Sequence, residues 1–490
     1  MAMRPLPLLL LASLLPVTGC YRAVAPPQRQ PKVQVPAVWN SGKAAERTVD
    51  VHWWKQFRDP QLDALIEEAL SNNHQLHAAA DRLEAALNQA RISGAELAPS
   101  MGFALNSSRQ RQNFIGLPLP GFAGRVPRAT YTLMGVGLDI SWEADLWGRI
   151  RSGQVQAGAL ASAQSADLAA ARHSLAAQTA KAWFASAAAH LQLGLARELA
   201  ASYETTSRWV QERFVAGFQT ALELRMALAD LSEAESLVHL RREQLDRGIL
   251  QIELLAGRYP VGGLKVRDSL PAVSSEVPAG LPSELLTRRP DLIAAQRRLL
   301  ASDAGIVQSQ AALHPRLSLT TAGGTATDSL LSLLNGNYAV WSLLGNLVHP
   351  IFQGGRLRRQ VDIARSRSEE ALEMYTDAVL KAFGEVETAL SVEGLLRDRL
   401  GELEASAAEA RAARKQARLR YRHGQGGVLT VLETERRILG MKSRILALQH
   451  LLLDNRIDLH LALGGGFDPS APAGSPGALI PVMLEEAQGN

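Results

Sequence analysis

Few residues in this chain are placed to do chemistry, and the clearest of them lies near its start. Cys20 is the only cysteine among 490 residues. A disulfide within the chain is therefore impossible, and so is a metal site built on several thiolates. The residues before it give the thiol another use. Arg4 supplies a positive start, Leu6 to Val17 an apolar run too short to span a bilayer, and Val17-Thr18-Gly19 the small residues that precede the thiol. This is a lipobox pattern, in which cleavage leaves an acylated Cys20 as the new N-terminus and makes residues 1–19 a lipoprotein signal peptide. Tyr21 replaces the Asp that in some bacteria retains such an anchor at the inner membrane, so the outer membrane is expected. The remaining reactive side chains compose no reaction centre. His74 and His77 stand at i and i+3, a spacing open to a metal, but they read as a wet helix face. Gly464-Gly465-Gly466 has neither the preceding strand nor the following Lys-Ser/Thr of a phosphate loop. The sequence offers no Ser/His/Asp signature and no paired acids with a pocket. No catalytic residue, metal site or cofactor is expected.

The elements that position Cys20 and the rest follow from composition and pattern. With 47% apolar and 20% charged residues the chain folds. A formal charge of +4 is small for this length and points to no nucleic-acid partner. After residue 20 no apolar stretch approaches the roughly 20 residues of a membrane-spanning helix, so any crossing must be made by strands.

The chain is written twice. Leu97-Ala98-Pro99 answers Leu313-His314-Pro315. Further on, Gly148-Arg149-Ile150-Arg151 answers Gly355-Arg356-Leu357-Arg358, and Arg213-Phe214 with Gly217 answers Arg420-Tyr421 with Gly424. The first pair sets an offset of 216 and the later pairs 207, so nine extra residues fall between positions 100 and 131, in an inter-strand loop. Each half reads as helix, two strands and a long helical hairpin. The first helices are expected at about Gln61–Leu97 and Asp291–Leu313. Thr132, Met134, Val136, Leu138, Ile140 and Trp142 alternate with smaller or polar residues at period two, which predicts a strand with one apolar face. The other strands are expected at Met101–Gln110, Arg316–Thr327 and Tyr338–Val348. No proline occurs from Arg128 to Tyr259 or from Ile351 to Asp468, and Leu224, Leu231, Val238, Leu245 and Ile252 recur every seven residues. Val431, Ile438, Ile445, Leu452 and Leu459 answer them, a coiled-coil seam in both hairpins. The expected organisation is an acylated extended segment over 20–58, a first repeat over 59–260 (strands about 100–142, hairpin about 146–256), a linker over 261–283, a second repeat over 284–466 (strands about 316–348, hairpin about 354–463) and a tail over 467–490.

Four strands cannot close a barrel, and an open edge in lipid leaves backbone groups unpaired. Two chains give eight strands, a filled interior, whereas three give twelve, with room for a pore. The fold class expected is mainly α with a β-barrel portion: a trimeric twelve-stranded barrel continuing into an α-helical coiled-coil tunnel.

The chain resembles the TolC/OprM-type outer-membrane efflux proteins, in their lipoprotein branch. The resemblance rests on Phe57-Arg58-Asp59-Pro60-Gln61-Leu62 leading into Leu65 to Leu70 and Asn72-Asn73, on Arg288-Arg289-Pro290-Asp291-Leu292, on Pro350-Ile351-Phe352-Gln353-Gly354-Gly355-Arg356, and on Ala462-Leu463-Gly464-Gly465-Gly466. It spans about residues 53 to 468. It implies a homotrimer in the outer-membrane lipid that docks with a periplasmic adaptor and an inner-membrane pump, a passive duct and not an enzyme. It places adaptor contacts at the hairpin tips, Gly217, Phe218, Gln219, Thr220 and Ala221, and Gly424, Gln425, Gly426, Gly427 and Val428. It also places a periplasmic gate at Leu429, Glu433 and Arg436, the first a constriction, the second a pore-facing acid, the third a nearby base. At the same offset the first half has Leu222, Met226 and Ala229, so a single charged ring is expected. Two other readings stand beside this one. A lipid-anchored periplasmic adaptor or coiled-coil scaffold shares the lipobox and hairpins but needs no paired strands. A lipoprotein hydrolase needs a convergent polar site.

Overall fold

A computed structural model describes residues 29, 33–40, 52–115, 126–273, 280 and 282–465. Cys20, the expected signal peptide, Gly466 and residues 467–490 lie outside the described residues. The chain divides into two compact units, each drawn from both repeats: residues 84–162 with 297–373, and residues 31–83 with 163–296 and the chain from 374 on.

The first unit holds the strands β1 (Ser100–Asn113), β2 (Arg128–Ala144), β3 (Arg316–Thr327) and β4 (Ala339–Val348). They form one antiparallel sheet in the order β1-β2-β3-β4. Its register decides what each face is. Phe103 lies opposite Leu138, Leu138 opposite Gly323, and Gly323 opposite Trp341. Met101, Ile140, Thr321 and Leu343 make the next rung, and Trp142, Leu319 and Gly345 the one beyond. Opposed residues share a face, so these rungs stack into one apolar surface. It is exposed: Phe103 at 70% and Trp341 at 83%. The rungs between them, Gly102-Asp139-Ala322-Ser342 and Ser100-Ser141-Thr320-Leu344, and Glu143-Ser318-Asn346 just beyond, give the other face a mostly small and polar character, with Leu344 the exception. Gly324 approaches the Val136 carbonyl so closely that a Cβ would collide with backbone, which fixes glycine there. The extra residues of the first half lengthen its strands as well as the loop. β1 and β2 have 14 and 17 residues against 12 and 10 for β3 and β4.

Helices dominate the rest. The long α3 (Arg149–Val215) and α7 (Arg356–Arg422) each have 67 residues, and α4 (Ala221–Leu255) and α8 (Val428–Ala462) each have 35. Equal lengths in the two halves confirm the duplication. At 1.5 Å per residue, 67 residues extend about 100 Å. All ten heptad residues are buried or half-buried. Ala227 and Ala234, three residues beyond Leu224 and Leu231, are buried, and such small side chains let helices approach closely. The described helices include none long and apolar enough to cross a membrane.

The helix expected over about 61–97 is two helices, α1 (Pro60–Asn72) and α2 (His74–Ala95). Asn73 separates them. Its backbone is extended, its Oδ1 accepts the amides of Gln75 and Leu76, and its Nδ2 donates to the Leu255 carbonyl. An Asn that can cap competes with helix continuation, and the Asn72-Asn73 pair marks the break. A short α5 (Leu285–Arg288) precedes α6 (Pro290–Ala311). Asp59 caps α1, accepting from Gln61 and Leu62 amides while Trp183 Nε1 and Arg267 both donate to its Oδ2 at 2.8 Å. Arg289 is buried and holds Asp291, Glu385 and the Ala462 carbonyl. The motifs around Asp59 and Arg289 thus fasten helix ends.

Trp53 is packed, with its ring stacked on His460 at 5.4 Å. Trp147 stacks on His314 and donates to the Pro315 carbonyl at 2.7 Å. Burial, and then the charge of Arg456, holds the His460 imidazole down to about 3. In an unfolded chain the same group takes a proton near pH 6.5. The unfolded state therefore binds more protons between these values, and stability falls as pH drops through that window, with no effect above it. One such group contributes at most roughly 1.4 kcal/mol per pH unit. The variant His460→Gln should lose melting temperature more slowly than wild type between pH 7 and 5. Parallel curves would show that this histidine does not set the acid sensitivity.

Candidate functional site

The two hairpin tips are built alike. Gly217 at φ 77° and Gly424 at φ 73° take the left-handed conformation that ends each long helix. The Phe218 amide returns to the Arg213 carbonyl and the Gln425 amide to the Arg420 carbonyl, both at 2.8 Å. The helices that follow start differently. Thr220 and Glu223 form a reciprocal capping box on α4, whereas Gly427 offers α8 no side-chain cap. The carboxyl of Glu223 is held below its usual range by the Thr220 amide and then its hydroxyl.

The tip surfaces also differ. Val215, Phe218 and Leu222 expose apolar side chains at the first tip. The second carries Arg420, Arg422, His423 and Gln425 on exposed positions. Between them Tyr421 is buried, with the Arg213 guanidinium 4.4 Å from its ring centroid and Trp209 stacked at 6.3 Å. Tyr203, Val210, Ala227, Ala234, Ala417, Val428, Val431 and Leu432 join it in one apolar cluster, so all four long helices pack together near the tips.

Leu429 and Glu433 are a turn apart on α8 and both exposed, and Arg436 follows on the same side. The structure therefore brings the three sequence-expected residues onto one helix face. Arg436 itself is turned to other partners. It bonds Asp230 of α4 at 3.0 Å, and its pKa is raised by a hydrogen bond with Tyr203 first, with Asp230 and Glu433 adding charge. Burial in turn pushes the Tyr203 hydroxyl up. These groups border a cavity of about 430 Å³ among α3, α4 and α8, lined also by Gln192, Leu237 and Ser443. On the first half Leu222, Met226 and Ala229 are exposed and carry no charge.

Asp230, Tyr203 and a second pair of contacts were not anticipated from sequence. Glu435 is 1% exposed, with Arg418 at 2.5 Å and Arg414 at 3.4 Å. Its signal was present: the apolar stripe Val428, Val431, Leu432, Ile438 and Leu439 is interrupted at 435 by an acid, which must then find buried partners. Asp230 gave none, because nothing in the pattern of α4 distinguishes it from other wet positions.

An antiparallel four-stranded sheet with one exposed apolar face, joined in sequence to paired coiled-coil hairpins, defines a β-strand channel subunit. The chain belongs to the outer membrane efflux protein family, whose model matches residues 65–258 and 281–465. It is 33% identical to the pyoverdine export outer membrane protein OpmQ of Pseudomonas putida over 89% of this chain and 93% of that one. It is 30% identical to the cation efflux system protein CusC of Escherichia coli, over 95% of this chain and 100% of that one. The solved outer-membrane channel OprN matches at a TM-score of 0.82 and 29% identity, covering 90% of this chain and 98% of that one. The protein is thus an outer-membrane efflux channel, and the adaptor reading gives way.

Replacing Glu435 by Gln leaves the partly exposed Arg414 and Arg418 facing a neutral group, a loss of about 1 kcal/mol. Trypsin cleavage at Arg420 and Arg422 should rise several-fold in Glu435→Gln as the tip opens more often. Unchanged cleavage would show that this contact does not hold the tip.

Proposed function

We propose that three copies of this chain close a twelve-stranded barrel and form the exit duct of a tripartite efflux or secretion system, through which substrates pass without a catalytic step. One observation carries the reading. The sheet has a continuous apolar face and two strands, β1 and β4, that each pair on one side only. In hydrocarbon each unpaired backbone group is unfavourable by several kcal/mol, and joining β4 of one copy to β1 of the next removes both edges. Twelve strands leave a bore, whereas eight would be filled.

On this reading a signal peptide ends at residue 19, Cys20 is acylated, and the segment to 58 is followed by repeats over 59–260 and 284–466 about a linker over 261–283. The tips Gly217, Phe218, Gln219 and Thr220, and Gly424, Gln425, Gly426 and Gly427, meet a periplasmic adaptor, which links the duct to an inner-membrane pump. The apolar side chains exposed around the first tip support that assignment, since such surface is suited to burial against a partner. Relatives named for pyoverdine export and for cation efflux support a duct whose cargo is chosen elsewhere.

Leu429, Glu433 and Arg436 form the periplasmic gate. Three copies of Leu429 narrow the bore, three carboxylates of Glu433 make one acidic ring, and Arg436 fixes α8 against α4 through Asp230. A ring of acids in a narrow bore favours cations. Reconstituted in a planar bilayer, the protein should conduct with cation preference, and Glu433→Gln should lower that preference several-fold at unchanged oligomer mass. Absence of conductance would contradict the duct, and an unaltered preference would remove Glu433 from the gate.

A further inference from the structure

The apolar face of the sheet ends differently at its two ends. At the end joined to the helices its last rung is Ala144, Leu317 and Leu347. At the hairpin-loop end, beyond Ser107 and Met134, the same face continues as Arg109 opposite Thr132, Arg111 opposite Thr130, and Arg128 opposite Asn113. All three arginines are exposed. Arg109 and Arg111, two residues apart on one strand, lie about 7 Å apart. Arg111 and Arg128 are diagonal neighbours across the strand pair, about 7–8 Å apart. Neither chain composition nor the fold neutralises them. No Asp or Glu occurs between Glu96 and Asp139, and none of the three forms an ion pair with a described residue.

Their side of the sheet says what they face. At the same level the opposite face carries Ser108, Gln110, Gln112, Ala129 and Tyr131, all uncharged. Arginines meant to draw anions through a bore would occupy those positions. The outer positions instead lie directly above the apolar band. That band runs on β2 from Met134 to Ala144, a path of about 34 Å along the strand, or about 25 Å in height at the tilt usual for membrane barrels. Just past such a band lie lipid headgroups. A guanidinium fork matches phosphate oxygens two at a time and keeps its charge at any physiological pH.

We propose that Arg109, Arg111 and Arg128 form a binding site for the phosphate groups of an anionic glycolipid in the outer leaflet. The site rests on the barrel reading above. It makes the first hairpin the lipid-holding edge of each subunit, sets the height of the barrel in the bilayer, and gives the apolar face a polar stop on the outer side only.

The test compares the wild-type full-length protein, the triple variant Arg109→Gln, Arg111→Gln, Arg128→Gln, and the corresponding triple Lys variant, all in detergent with their oligomer mass recorded. Each is titrated with lipid A bearing both phosphates, with dephosphorylated lipid A, and with inorganic pyrophosphate. Wild type should bind the phosphorylated lipid about ten-fold or more tightly than the dephosphorylated one. The Gln variant should lose that discrimination at unchanged mass, and the Lys variant should keep part of it. Equal binding by wild type and the Gln variant would overturn the site, as would wild-type binding that ignores the phosphates. Pyrophosphate binding as tight as that of the lipid would overturn the assignment to a lipid. A wild-type mass of one chain would overturn the barrel reading itself and the site with it.

Discussion

A backbone amide or carbonyl left without a partner in hydrocarbon is unfavourable by several kcal/mol, and this chain presents two rows of them. β1 and β4 border a sheet whose exposed face is too apolar to stand in water as it is. The rest of the architecture can be read as a consequence. The large apolar residues of β1 and β3 and most of those of β2 fall on one face with Trp341, Leu343 and Leu347 of β4 because the register aligns them, and a slip of one residue in any pair would send them to the other side. The glycines at 137 and 324 let β2 and β3, which belong to different halves of the sequence, meet at the centre of the sheet. Duplication supplies two hairpins of strands, and the proposed closure by further copies of the chain supplies what a single sheet lacks.

The helical part answers a different constraint. Helices of 67 residues cannot be covered by a compact core, and α4 and α8, which carry the heptad seam, pack against the parts of α3 and α7 that lead to the tips. Apolar contacts carry the seam, and charged contacts interrupt it at a few points near the tips. Glu435 with Arg414 and Arg418 is one such point, and Arg436 with Asp230 and Tyr203 is another. Glu435 is buried, but Arg414, Arg418 and Arg436 stay partly exposed, so these pairs add little stability compared with the apolar packing around them. Solvent reaches one side of each contact, and a contact that can be made or broken suits the gate proposed at this level.

Much of this was legible in the sequence because it is periodic. Period two gave β2 its apolar face, period seven gave both seams, and the offset of 207 located both tips and both helix starts, since α3 and α7 begin at Arg149 and Arg356. Local chemistry was harder to see. The break at Asn73 depends on a side chain that caps better than it continues a helix, and helical periodicity runs straight across it. The partners of Arg436 lie some two hundred residues away on α3 and α4, and no spacing rule links them. Arg109 and Arg111 lie within β1, whose alternation was weak, and Arg128 opens β2 ahead of its apolar alternation, so only the paired register puts all three on the apolar side.

Everything proposed here depends on shared closure of the barrel, and oligomer mass tests that most directly. Light scattering of the membrane-extracted protein in detergent, corrected for bound detergent, should give three chains per particle. A particle of one chain that stays soluble without detergent would contradict the account.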